Sequence, residues 1–187
     1  MPAPTSVFSA PPDWSNPVTD KVSYLTNVIT ANDDSEQRIQ LRGVPNRLVS
    51  WSVLGITARQ AATIDAMLYA QQADRVGVPF WPDMSWLTSA ATNGDMSIAA
   101  DTTSRSFGVT AYALLWADMW TYKVVAVDTV SVTDSAIPLL NALSGPWPVG
   151  TAVIPLLAGY HAASIARTRP SRETGSSPVS FSIEVAE

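Results

Sequence analysis

The sequence predicts a mainly β protein of the α+β kind: a β-sandwich with one flanking helix, plus a second small β-barrel or sandwich domain. Three observations predict it. Short runs in which β-branched residues alternate with polar ones recur along the chain. Glycine, proline and aspartate corners separate those runs. A single amphipathic stretch with a helix-start signal interrupts them. At 187 residues the chain is long enough for one full domain and a smaller companion.

Residues 1–17 read as an extended arm, because Pro2, Pro4, Pro11, Pro12 and Pro17 fix φ and remove donors. Phe8 and Trp14 on that arm need burial, either on their own domain or on a neighbouring subunit. From Asp20 to Ala31 the alternation of Val22, Tyr24, Thr26, Val28 and Thr30 with their neighbours predicts a strand. Asn32 to Ser35 is a polar turn. The next strand, Glu36 to Arg42, sets Glu36, Arg38, Gln40 and Arg42 on one face and Ile39 and Leu41 on the other. Gly43 to Asn46 turns the chain, and Val49, Trp51 and Val53 give the buried face of a further strand. Thr57-Ala-Arg-Gln60 is a capping-box pattern, so a helix is expected from Ala58 to about Val76, with Ala61, Ile64, Met67, Leu68 and Gln71 on its packed stripe. Gly77 is placed to end it in a left-handed cap. Val78 to Asp83 is too proline-rich for a central strand.

Residues 84–103 form a polar connector in this reading. Beyond it, strands are expected at Gly108–Trp116, Thr121–Val127, Thr129–Thr133, Thr151–Tyr160 and Pro178–Val185. The domain plan is therefore an arm over 1–17, a sandwich with its helix over 18–83 to which 178–187 returns, the connector, a second β-domain over 104–165, and a loop over 166–177.

Composition narrows the function. Charged residues make up only 14% of the chain, against about 25% in an average protein, which implies a surface that faces other protein. The net charge of −5, with scattered Lys and Arg, opposes a phosphate-gripping nucleic-acid binder; the densest basic group, Arg167, Arg169 and Arg172, reads as a solvated loop. Without cysteine there are no disulfides, thiolate metal sites or thiol nucleophiles, and a reducing cytosol is the simplest folding context. No secretory h-region opens the chain and no run reaches the roughly 18 apolar residues of a membrane span. A soluble chain without membrane insertion is expected.

Catalytic constellations are not found. The single histidine, His161, ends an apolar strand and has no second histidine, His-Glu-x-x-His or nucleophile elbow beside it. Its simplest role is structural. The aspartates, Asp13, Asp95, Asp101, Asp118 and Asp128 among them, fall in predicted turns, where their side chains bond local backbone. Asp33, Asp34 and Glu36 lack the glycine and distal glutamate of a calcium loop. No enzyme activity, cofactor or metal is expected. The seven tryptophans are the compositional oddity. Trp51 and Trp116 sit in strand patterns, whereas Trp81, Trp86, Trp120 and Trp147 fall in loops or corners, where indoles serve subunit contacts or stack on sugars or bases.

The Pro12-Asp-Trp-Ser-Asn-Pro-Val18 start, the strand pair around Glu36-Gln-Arg38 and Pro45-Asn-Arg47, the following helix, and Pro79-Phe-Trp-Pro-Asp83 together resemble the tail proteins of long-tailed bacteriophages, closest to the distal-tail and baseplate family. The likeness spans 11–83 and, more weakly, Trp147 to Pro155 and the last strand. It implies a structural virion protein at the tail tip, assembled in the host bacterial cytoplasm, that forms hexameric or trimeric rings with itself and contacts tube, tape-measure and hub subunits. Trp14, Glu36, Arg38, Arg42, Phe80, Trp81 and Trp86 are then the candidates for subunit contact; the bland alternative for the charged strand is a solvent face. A different reading is a carbohydrate-binding β-domain for host attachment, with Trp116, Trp120 and Trp147 as stacking platforms.

Overall fold

A computed structural model describes residues 4–24, 45–72, 74–162 and 175–184, and the backbone of 26–30 and 36–40. In chain order the elements are β1 (Ser6–Val7), β2 (Thr19–Ser23), β3 (Thr26–Thr30), β4 (Glu36–Gln40), β5 (Asn46–Gly55), α1 (Ala58–Ala70), β6 (Val76–Pro79), β7 (Ser85–Trp86), β8 (Ser97–Ala99), β9 (Tyr112–Trp116), β10 (Tyr122–Ala126), β11 (Ala136–Pro138), β12 (Ala152–His161) and β13 (Gly175–Ile183). Two single 3-10 turns stand at Trp81–Asp83 and Ser106–Gly108. The protein is mainly β with one flanking helix and a large mixed sheet.

The spine of that sheet is β12. Along one edge its first half pairs with β9 and its last residues with β13; along the other it pairs with β7 and then β6. From β13 the sheet continues to β5 and β2, from β9 to β10, and from β6 to the parallel strand β1. Pro155 lies inside this central strand, which proline normally cannot do. Its register explains why: between the stretches paired to β7 and β6 no strand bonds that edge, and the Pro155 carbonyl instead accepts the Phe80 N–H at 2.9 Å.

Two hydrophobic cores meet on the spine. The first collects Phe8, Val49, Trp51, Ile64, Leu68, Val78, Trp81, Ile154, Phe181 and Ile183. The second collects Leu87, Ile98, Phe107, Leu115, Val125, Ile137, Leu143 and Val153. Neighbouring residues of β12 point to opposite faces, so Ile154 enters one core and Val153 the other. Residues 84–103 are therefore not a mere connector: Leu87, Ala91, Ile98 and Ala100 are buried in the second core, and β8 pairs with β11. Both are three-residue strands, too short for alternation to show.

The helix is shorter than the sequence predicts. It begins as expected, with the Gln60 N–H donating to the Thr57 hydroxyl at 3.2 Å and the Gln60 side-chain oxygen accepting the Thr57 N–H at 3.2 Å. It stops at Ala70 because Gln71 turns inward, where its amide donates to the Val7 carbonyl at 3.1 Å. Gly77 is not its cap. It lies in β6 opposite Ala158 and Val7, where a Cβ would stand 3.0–3.1 Å from Leu156, Pro4 and Val7. Of Val78–Asp83, judged too proline-rich for a central strand, Val78 and Pro79 do belong to one, the end of β6 between β1 and β12, whereas Trp81–Asp83 is a 3-10 turn. Thr129–Thr133 forms no strand; it is a turn in which Ser131 donates to Asp128 at 2.7 Å. Thr57→Ala is expected to cost about 1 kcal/mol of stability and Thr57→Ser much less, as read from urea unfolding midpoints.

The N-terminal arm packs on its own chain. Phe8 is fully buried, with ring centroids 5.3 Å from Phe181 and 6.0 Å from Trp51. The Ser9 hydroxyl donates to the Met119 carbonyl at 2.8 Å, and the Trp116 indole N–H donates to the Ser9 carbonyl at 3.0 Å. Beyond Ala10 the chain lies along the outer edge of β5: Pro12 bridges Val53, the Asp13 N–H donates to Ser52, and β2 then pairs with Asn46 to Ser50.

Candidate assembly surface

Strands β3 and β4 form a separate two-stranded sheet, in register from Thr26 opposite Gln40 to Thr30 opposite Glu36, and they pair with no other described strand. Directly before this hairpin lies β2, which among the described strands bonds only β5, on one side, and is exposed along its whole length. Alternate residues of such an edge turn their N–H and C=O groups outward. Val22 and Tyr24 at its end are 51% and 63% exposed, and Trp14 beside the same edge is 60% exposed. Below the edge, Arg47 makes a two-pronged bridge to Asp20, at 3.1 and 2.9 Å, and lies 4.7 Å above the Phe80 ring. That fixes β2 on β5 while leaving its outer side open.

The subunit-contact candidates thus divide. Trp14 and Trp86 are exposed. Phe80 and Trp81 are not available to a neighbour: they are 8% and 2% exposed and belong to the first core, with Trp81 edge-on to Trp116 at 5.4 Å. Two prolines bracket them, which reads like a surface loop; in fact Trp81 opens a 3-10 turn, with Pro82 second in it, and is buried there. Glu36 and Arg38 fall on β4, of which the backbone alone is described, and Arg42, the Asn32 to Ser35 turn and the three-arginine loop lie outside the described residues.

The indoles proposed as sugar platforms are not presented together. Trp116 is half-buried under Trp81 and tied to Ser9. Trp147 is half-buried against the second core, exchanging two backbone bonds with Ala91. Trp120 alone is substantially exposed, and one side of its ring is taken by Arg59 at 4.5 Å while its N–H donates to Thr63 at 3.2 Å.

The carboxylates hold loops. Asp118 accepts the N–H groups of Trp120 and Thr121 at 2.8 and 2.7 Å, shaping the β9–β10 connection. Asp83 accepts the N–H of Ser106 at 2.8 Å and also its hydroxyl, which ties one 3-10 turn to the other. Hydrogen bonds from the Ser15 side chain to Asp13, from the Thr92 backbone to Asp95 and from the Arg105 side chain to Asp101 hold these three carboxyls below their usual range. Among the described residues no group of three or more His, Asp or Glu side chains could hold a metal ion, and no helix is long and apolar enough to cross a membrane.

His161 lies against Phe181 at 4.5 Å with the rings tilted by 41° and meets Phe8 edge-on at 6.1 Å, and burial lowers its pKa. An imidazole kept neutral in the fold destabilises it once the unfolded chain takes up a proton. Stability is then full above about pH 6.5, the unfolded value, and falls as the pH drops below it. Because His161 is the only histidine, His161→Phe is expected to flatten the decline in Tm between about pH 7.5 and 5.5.

No family model and no curated protein matches this chain.

Proposed function

We propose that the chain is a structural subunit of a bacteriophage tail that forms rings at the distal tail or baseplate. The observation that carries this reading is the β3–β4 hairpin. A two-stranded hairpin is marginal by itself in water, and this one pairs with no other described strand of its own chain. In the proposed assembly it gains its support from the neighbouring copy, next to the open β2 edge and Trp14. Head-to-tail repetition of such a contact makes a ring where the rotation between copies closes, hexameric or trimeric in this reading, and the rings meet tube, tape-measure and hub subunits within the virion. The family resemblance and the low charge content support the same role.

Replacing residues 26–40 by a short Gly/Ser link tests it. The native chain is expected to give rings in negative-stain micrographs and light scattering, alone or with tail partners. The shortened chain is expected to be monomeric with an unchanged thermal transition. A native chain that stays monomeric under both conditions overturns the reading, and rings that survive the replacement remove the hairpin from it.

A further inference from the structure

A second open edge lies on the other branch of the sheet, at β10, which among the described strands pairs only with β9. The Val127 N–H donates to the Ala111 carbonyl on the β9 side, so by antiparallel alternation the odd-numbered residues of β10 bond β9 and the even-numbered ones turn outward. Ala126 confirms the pattern: its carbonyl accepts the Leu140 N–H at 3.0 Å from the outer side. Past Leu140 the chain swings away, and no backbone hydrogen bond reaches Tyr122 or Val124 from outside among the described residues. A cleft of about 240 Å³ opens there between β10 and Asn141–Ser144.

The cleft has the features of a strand acceptor. Its inner wall is the strand edge itself, which an extended backbone can satisfy. Val125 and Leu143 floor it with buried apolar surface from the second core. Tyr122 and Val124 leave apolar surface partly uncovered beside it. Lys123 is the only charged residue in its lining. Edge lysines often serve to discourage pairing, but this one borders a walled cleft rather than open solvent, and a strand bearing a carboxylate opposite it gains a charge-assisted bond. We propose that the β10 edge is a docking site for an extended peptide segment of another protein, bound by strand addition with an Asp or Glu opposite Lys123.

The test uses two short synthetic peptides of alternating Thr and Val, one with a central Glu and one with a central Lys, with binding followed by fluorescence anisotropy on the full chain. The Glu peptide is expected to bind roughly tenfold more tightly than the Lys peptide, with the order reversed in Lys123→Glu. Val124→Pro removes an outward N–H and no bond to β9, and it keeps an apolar side chain where Val124 packs partly on the first core; proline is tolerated on an edge in that position. It is expected to abolish binding with the fold intact by circular dichroism. A Glu peptide N-methylated on alternate residues tests the same bond on the unaltered protein and is expected not to bind. Failure of the Glu peptide to bind, equal binding of both peptides, or binding that survives N-methylation or Val124→Pro overturns the proposal. So does a change of oligomeric state in Val124→Pro, which assigns the edge to a second copy of this chain.

Discussion

Phe8→Ala is expected to lower stability by about 3–5 kcal/mol, a large share of the roughly 5–15 kcal/mol that holds a typical domain together. The ring is fully buried, eight residues from one end of the chain, and packs against Phe181 and His161 near the other end and against Trp51 between them. Truncation therefore opens a cavity where three distant parts of the sequence meet, and the rigid strands on either side cannot collapse to fill it. The loss is read as a fall in Tm and in the urea midpoint. Trp14→Ala is the matched control on the same arm. Its side chain is 60% exposed, so its removal is expected to change stability by less than about 0.5 kcal/mol while weakening the proposed ring assembly. Equal destabilisation by both variants would contradict an arm whose first half is core and whose second half is surface.

Gly159→Ala is the second large effect expected, about 3 kcal/mol from a single added methyl. A Cβ at this position would lie 2.5 Å from the Ser182 carbonyl oxygen, 3.2 Å from its carbon and 3.0 Å from the Ile183 side chain. Two of these three atoms are backbone, so no rotamer change relieves the clash; β12 and β13 must separate where Gly159 pairs with Ile183. Gly108→Ala provides the contrast. The nearest atom to its added methyl is the Thr129 oxygen at 4.0 Å, and a change within about 0.5 kcal/mol is expected. Thermal unfolding of the two variants side by side separates crowding at the strand crossing from a general intolerance of alanine for glycine.

The main strands were legible because their signals are local and periodic. Val49, Trp51 and Val53 alternate with half-buried Leu48, Ser50 and Ser52, and the Thr57–Gln60 box fixes the helix start within one turn. The helix end was not legible: the apolar pattern runs on, and what stops it is Gln71 reaching the backbone of Val7, a partner 64 positions away. Gly77 failed as a cap for the same kind of reason, since it serves packing between three strands and not a turn. Phe80 and Trp81 show the limit of composition. Prolines on both sides suggest exposure, yet Pro79 ends an inner strand and Pro82 lies in the 3-10 turn whose first residue is the buried Trp81. As for the candidate surface, alternation identifies β10, but it reads Asp20–Ala31 as one strand where the structure has two, β2 and β3 in separate sheets, and whether a strand is at an edge depends on the pairing of the whole sheet. Lys123 within an otherwise apolar strand was the one local hint.

Strand β13 lies between β5 and β12, bonding Gly55 to Arg47 on one side and Gly159 to His161 on the other. On a ribosome, then, Phe8, Val49 and Trp51 emerge lacking the strand that completes their sheet, and they wait until residues 175–183 have been made. Closure over such sequence distances is slow, in the millisecond-to-second range typical of non-local β topologies. The nascent chain spends that interval with an unpaired, apolar strand available to other copies. In the proposed ring assembly, which uses several copies of the chain, self-association before folding competes with association after it, and the timing of β13 decides which comes first.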